Sequence, residues 1–241
     1  MTAEFSRLQL LYGPEALERL RAAKVIVFGV GGVGSWCAEA LARCAIGHIT
    51  IVDSDKVDPS NINRQLVALE STVGRAKVDV MARRIADINP DCRIVTVEGR
   101  YTPDTAPDFA LETYDAVVDA IDSLADKADL ILRVCSLEHT RLFSSMGAAL
   151  KTDISQISTA EFWQVKGCPL ALALRQRFKR TGCFPARKFK CVYSPEHREN
   201  HTEDIPAGGG RMPNGTVVFA TAAFGLTLAQ LVINHLLSDN G

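Results

Sequence analysis

The chain is short of net charge. Its 241 residues carry 27 Lys and Arg against 28 Asp and Glu, a formal charge of −1. That balance excludes a global pull towards nucleic acid or an anionic membrane, so any basic surface must be local. Paired cysteines are also missing. The seven thiols, Cys37, Cys44, Cys92, Cys135, Cys168, Cys183 and Cys191, never form Cys-x-x-Cys, which excludes the zinc-ribbon spacing. An odd count and the lack of a signal-peptide pattern point to reduced thiols in a cytoplasmic protein. There is no internal repeat and no low-complexity tract. The apolar stretch Thr216 to Leu237 is long enough to raise a membrane span, yet it contains Gln230, Asn234 and His235. A buried helix is the better reading, with no membrane partner. Finally, no Asp or Glu occurs from Phe162 to Pro195.

What is present is organised around Val25-Ile26-Val27-Phe28-Gly29-Val30-Gly31-Gly32-Val33-Gly34. The β-branched run Lys24 to Phe28 is too short for a helix and reads as a buried parallel strand. Gly29 permits the tight turn out of it. Gly31 leaves room for a phosphate to approach the backbone, and Gly34 lets the next helix pack close to the sheet. That helix, Ser35 to Arg43, offers its first amide N–H groups to an anion. These residues specify a nucleotide but not which one.

Further along, Ile49 to Asp53 reads as the second strand, with Asp53 at ribose-binding distance from the glycines or, alternatively, a loop-start cap. Helices are expected over Glu15 to Ala22, Lys77 to Ile88 and Lys127 to Glu138. Strands are expected at Ile94 to Val97, Ala116 to Asp122 and Arg141 to Met146. This alternation describes an α/β fold with a doubly wound, mostly parallel, Rossmann-like sheet over residues 1–150. Residues 151–241 read as a C-terminal mixed α/β extension packed on that core, contributing to substrate binding and dimer formation. Within it, Ile154 to Thr159 could be a strand of a second sheet region and Pro169 to Lys179 a helix. Arg180 to Pro206 reads as an irregular excursion, Gly208 to Gly210 as a hinge-like run and Val217 to Phe219 as a strand. Ala222 to Leu237 reads as a closing helix.

The acid-free span carries Lys166, Arg175, Arg177, Lys179, Arg180, Arg187, Lys188 and Lys190, with Phe178, Phe184, Phe189 and Tyr193 interleaved. A solvated basic helix face accounts for Arg175 to Arg180. The continued basicity of Arg187, Lys188 and Lys190 suits a polyanion with exposed bases.

Four features favour ATP over a nicotinamide cofactor. Asn63-Arg64-Gln65 follows the second strand, where a guanidinium can grip phosphates. Lys77 stands at a helix start, where the dipole disfavours a cation unless an anion faces it. Asp122 ends a strand at the ligand crevice and could hold Mg2+. Arg7 precedes the fold and could reach a neighbouring subunit.

These motifs, in order Gly-x-Gly-Gly-x-Gly, Asp53-Ser54-Asp55, Asn61-Ile62-Asn63-Arg64-Gln65, Gly74-Arg75-Ala76-Lys77 and Asp119-Ala120-Ile121-Asp122, resemble the ubiquitin-activating-enzyme-like superfamily of ATP-dependent adenylating enzymes. The resemblance covers about Phe5 to Gly147. It implies that Gly29, Gly31, Gly32 and Gly34 cradle ATP and that Asp53, with Asp55 beside it, binds the ribose side. It further implies that Asn63, Arg64 and Lys77 meet the phosphates, with Gln65 also in the nucleotide site, that Asp122 holds Mg2+, and that Arg7 is an arginine finger donated across a homodimer. Leu8 stands where Gln is common in the superfamily.

Ile154-Ser155-Gln156-Ile157, Pro169-Leu170-Ala171 and Cys191-Val192-Tyr193-Ser194-Pro195-Glu196 are most similar to a tRNA-modifying subgroup. That subgroup activates the carboxylate of the threonylcarbamoyl group on adenosine-37 of tRNA and cyclises it with loss of water. The implied partners are tRNA, a second copy of the chain and a sulfur-transfer-system protein. In this setting Cys191 is either a thioester-forming thiol or a buried one. The alternative within the superfamily is an adenylyltransferase acting on the C-terminal glycine of a small sulfur-carrier protein. The missing zinc cysteines count against it. Gly208 to Asn214 departs from the subgroup in lacking a cysteine-bearing segment.

Overall fold

The computed structural model describes residues 3–201 and 213–238. A short helix α1 (Ser6–Tyr12) and α2 (Pro14–Ala22) precede the sheet, separated by Gly13, whose φ of 89° lies where glycine is at ease. The core then alternates: β1 (Lys24–Phe28), α3 (Gly34–Arg43), β2 (His48–Asp53), α4 (Lys77–Ile88), β3 (Arg93–Glu98), β4 (Ala116–Asp119), α5 (Leu124–Ser136) and β5 (Arg141–Ser145). After it come β6 (Ser158–Glu161), α6 (Pro169–Thr181), β7 (Lys190–Tyr193) and α7 (Val218–Leu237).

Among the described residues seven strands form one sheet in the order β3-β2-β1-β4-β5-β7-β6, parallel except for β6, which is antiparallel to β7. The order reverses between β1 and β4. The crevice above that reversal, at the carboxyl ends of the strands, is where open α/β sheets bind ligands. Strands β1, β2 and β4 are apolar on both faces because helices cover both. One core layer joins Val25, Val27, Ile49 and Ile51 to α3, α4 and α7. The other joins Ile26, Phe28 and Val117 to α5 and α6.

The second half differs from its sequence reading. The residues after 150 extend the same sheet rather than build another. Strand β6 covers Ser158–Glu161, not Ile154 to Thr159, because Asp153 caps a single 3-10 turn at Ile154–Gln156. The excursion Arg180 to Pro206 contains β7, which slots beside β5. Val217 to Phe219 is no strand: helix α7 begins at Val218. Strand β4 stops at Asp119, and residues 120–123 form a loop. The expected hinge at Gly208 to Gly210 lies outside the described residues.

Helix α7 is long and apolar enough to cross a membrane. Here it packs against α3 and the sheet, with Ala220, Phe224, Leu228 and Val232 fully buried at helical spacing. A Cβ on Gly225 would stand 2.4 Å from the Val33 carbonyl, so this glycine is what lets α7 lie against the start of α3.

Candidate nucleotide-binding site

The glycine turn is built by steric exclusion. Gly29 has φ +88°, and a Cβ there would meet the Ala120 carbonyl at 2.7 Å. A Cβ on Gly34 would lie 1.7 Å from the Gly29 carbonyl oxygen, so only glycine lets α3 start this close to the strand. Gly32 is covered by Thr221 of α7, 3.2 Å from a notional Cβ. Over Gly31 the only heavy atom within 4 Å, among the described residues, is Gln65 Nε2, at 3.9 Å. That leaves an open floor where a phosphate can approach the backbone.

Asp53 ties this turn to the end of β2. Its Oδ2 accepts the Val30 N–H at 2.7 Å and its Oδ1 accepts the Asp55 N–H at 2.8 Å. The carboxylate is thus at once a loop brace and a half-buried group at the rim. Lys77, almost fully buried at the start of α4, finds its anion within the protein: Nζ pairs with Asp55 Oδ2 at 2.9 Å. The hydrogen bond from Lys77 holds the Asp55 carboxyl below the usual carboxylate range, with help from Ser54 and Arg100. Arg100 also donates to Ser54 Oγ at 2.8 Å.

Arg64 is fixed from several directions. One guanidinium nitrogen, Nη1, donates to the Ser60 carbonyl at 2.7 Å and to Asn63 Oδ1 at 3.0 Å. Its own carbonyl accepts the Trp36 indole N–H at 3.1 Å. Asn63 donates to the Thr216 carbonyl at 2.9 Å, joining this loop to the approach to α7. Gln65 is buried, and its Oε1 has no partner among the described residues. A buried amide oxygen without a donor, next to an open backbone floor, fits a site built for a ligand.

Asp122 is exposed on the loop after β4. No group of three or more His, Cys, Asp or Glu side chains able to hold a metal occurs among the described residues. A lone carboxylate fits Mg2+ only in the usual nucleotide manner, with phosphates and waters as the other ligands. Arg7 is exposed on α1, on a helix whose Leu10 and Leu11 are 87% and 73% exposed.

The second-half candidates lie elsewhere. Strand β7 runs parallel to β5, with Lys190 opposite Phe143 and Val192 opposite Ser145. Lys188 and Lys190, both exposed, stand before and at the first residue of β7, which lies two strands from β4. Arg187 is a correction. Its guanidinium donates to the carbonyls of Val134, Cys135, Glu138 and Thr140 at 3.3, 3.2, 2.7 and 3.1 Å, finishing the C-terminus of α5. It is not presented to a polyanion. For Cys191 the buried alternative holds and the thioester-forming one does not: it is fully buried, and burial pushes its thiol up well above the usual range. A protonated, inaccessible thiol is no nucleophile.

One group escapes sequence reading altogether. Lys127 Nζ and Asp119 Oδ2 form a fully buried ion pair at 2.7 Å, and Ser144 Oγ donates to the same Oδ2 at 2.7 Å. Asp119 Oδ1 accepts the Ile121 N–H at 3.1 Å, so the pair pins the loop that bears Asp122. In the sequence Lys127 reads as one polar position of an amphipathic helix.

A reversed strand order, a glycine floor and flanking Lys and Arg define a nucleotide-binding protein of the doubly wound class. Within that class the chain belongs to the ThiF family, which it matches over residues 5–240. It is 39% identical to the tRNA threonylcarbamoyladenosine dehydratase of Bacillus subtilis, over 99% of this chain and 96% of that one. The crystal structure of the E. coli tRNA N6-threonylcarbamoyladenosine dehydratase TcdA in complex with ATP superposes with a TM-score of 0.82. That structure is 36% identical, covering 97% of this chain and 93% of the other. The adenylyltransferase and sulfurtransferase MOCS3 of Culex quinquefasciatus is 37% identical over 63% of this chain, but that match spans only 34% of MOCS3.

Proposed function

We propose that this chain is an ATP-dependent dehydratase of the threonylcarbamoyl group on adenosine-37 of tRNA, working through adenylation of its carboxylate. What carries the reading is end-to-end likeness to dehydratases, one of them solved with ATP, in a chain that keeps an open backbone floor at Gly31.

A carboxylate is a poor electrophile because its leaving group would be oxide. Its oxygen therefore attacks the α-phosphorus of ATP and pyrophosphate departs, leaving an acyl-adenylate. The neighbouring carbamoyl group then attacks the acyl carbon, loses a proton and expels AMP. The oxygen lost by the substrate ends in AMP. Catalysis of this kind consists of aligning two anions and offsetting charge. Asp53 and Asp55 face the ribose side. Asn63, Arg64, Gln65 and Lys77 face the phosphates over Gly29, Gly31, Gly32 and Gly34. Asp122 would hold Mg2+, which offsets phosphate charge.

Arg7 serves the partner's site in a homodimer, a role supported by the exposed leucines on its own helix. A finger of this kind is worth on the order of a thousandfold in rate, roughly 4 kcal/mol. Lys188 and Lys190 contact the tRNA backbone. The cytoplasm is the compartment of this reaction, and a sulfur-transfer-system protein is a candidate partner.

The test is to incubate the protein with ATP, Mg2+ and tRNA bearing the linear group, its carboxylate labelled with 18O. Nucleoside mass spectrometry should show loss of one water, with the label recovered in AMP. Asp122→Ala and Arg7→Ala should fold and lose turnover. A substrate left intact by the wild type would refute the reading. A carrier–AMP adduct in its place would support the sulfur-carrier alternative, which the partial likeness to MOCS3 favours.

A further inference from the structure

We propose that Trp163 and Phe184, together with the cations around them, form a stacking platform for unpaired bases of the tRNA, separate from the ATP crevice. The choice of tRNA as occupant rests on the proposed function. The platform itself rests on geometry.

Trp163 follows β6 and Phe184 follows α6, yet their rings meet with centroids 6.1 Å apart. They remain 40% and 53% exposed. Neither is loosely held. Trp163 packs edge-on against Phe162 at 5.2 Å, and Phe162 is fully buried and stacked on Phe189 at 5.0 Å. The Trp163 backbone N–H donates to Glu161 Oε2 at 3.1 Å. Phe184 emerges just after Gly182, whose φ of +69° ends α6, and it precedes Pro185, which restricts its backbone to extended conformations. Three residues further on, the four carbonyl contacts of Arg187 clamp the segment to α5. Two large rings are thus held in the open by a rigid frame, which lowers the entropy lost when a base stacks on them.

The surrounding charge selects the occupant. Lys166, Lys179, Arg180, Lys188 and Lys190 are all exposed and have no carboxylate partner among the described residues. By contrast, Arg175 and Arg187 are committed to backbone carbonyls. Glu161, two residues before Trp163, turns inwards: one oxygen is bound to the Trp163 N–H and the other is shielded from solvent. Aromatic faces among unpaired cations match a single-stranded backbone with splayed bases.

The platform lies at the amino end of the sheet and three strands from β4. That is about 14 Å across the sheet and roughly 10 Å along it from the Asp122 loop. A stem–loop can bridge such a gap and a lone nucleoside cannot, so the platform would make the enzyme read tRNA rather than its modified nucleoside.

The test uses fluorescently labelled tRNA and anisotropy with the full chain. Trp163→Ala and Phe184→Ala should each weaken binding at least fivefold, with an unchanged salt slope. Trp163→Phe should recover most of the affinity. Lys188→Ala with Lys190→Ala should flatten the slope of log K against log salt by about 0.7 for each phosphate no longer neutralised. ATP affinity, measured without RNA, should stay within twofold in the aromatic variants. Unchanged tRNA affinity in Trp163→Ala/Phe184→Ala overturns the proposal. So does a change of subunit stoichiometry by light scattering, which would make the patch a protein interface. If the wild type binds tRNA through these rings but removes no water, the proposed function fails and the platform stands.

Discussion

Replacing Lys127 by Met keeps an unbranched side chain one atom shorter and removes its charge. What remains is Asp119, fully buried, with only the Ser144 hydroxyl at 2.7 Å and the Ile121 N–H at 3.1 Å to answer it. At an effective dielectric of 20, two charges 2.7 Å apart attract by about 6 kcal/mol. Desolvation of both ions offsets much of that, so the intact pair contributes little net stability. Breaking it is a different matter, because one buried charge is left alone: about 3–5 kcal/mol. At 2–4 °C per kcal/mol for a chain of this size, the melting temperature should fall by roughly 6–20 °C. The double variant Asp119→Asn/Lys127→Met leaves no buried charge, and Asn keeps an acceptor for Ile121. It should recover more than half of the loss, a coupling readable from a double-mutant cycle of thermal melts. Hydrogen exchange at Ile121 should accelerate in the single variant. A Lys127→Met protein within about 1 kcal/mol of wild type, or a double variant no better than the single, would refute the reasoning.

The two glycines flanking the phosphate floor should separate folding from binding. Gly34→Ala forces a methyl to within 1.7 Å of the Gly29 carbonyl and should lower both melting temperature and ATP affinity. Gly31→Ala meets nothing nearer than 3.9 Å and should melt like wild type while binding ATP at least tenfold more weakly; equal ATP affinity would remove Gly31 from the site. Arg187→Met removes a donor from four carbonyls, of which Val134 keeps the Leu137 N–H and Glu138 keeps Arg141, and should cost about 1–3 kcal/mol in urea melts. An unchanged midpoint accompanied by lost tRNA binding would restore Arg187 to the RNA surface.

The first half of the chain is legible because its signals are local. The limits of β1 and α4 follow from a β-branched run and from apolar periodicity, and the glycine turn from steric demands inside ten residues. The second half depends on contacts that no short window contains. Strand β7 is four residues long and begins on a lysine in a basic run, so nothing in its own pattern outweighs a loop reading. Its place is fixed by β5 on one side and β6 on the other. Arg187 shows the same limit at one residue. In sequence it belongs to a basic run; in space, four carbonyls at the end of α5 engage its guanidinium, and only its neighbours Lys188 and Lys190 stay exposed.

Lys77 marks where such reading is right in kind and still incomplete. A cation at a helix start needs an anion, and the crevice is the natural place to look for one. The anion already present is Asp55, itself half exposed and flanked by Arg100. The pair solves a problem of the site before any nucleotide arrives: a nearly buried ammonium would otherwise stand unpaired beside a positive helix end. Because Asp55 reaches water, letting go of Lys77 costs the carboxylate little, but the nearly buried ammonium must be handed directly to another anion. In the proposed ATP site a phosphate over Gly31 would be that anion, while Asp53 keeps the turn in place through Val30. On that proposal one carboxylate braces the site and the other yields.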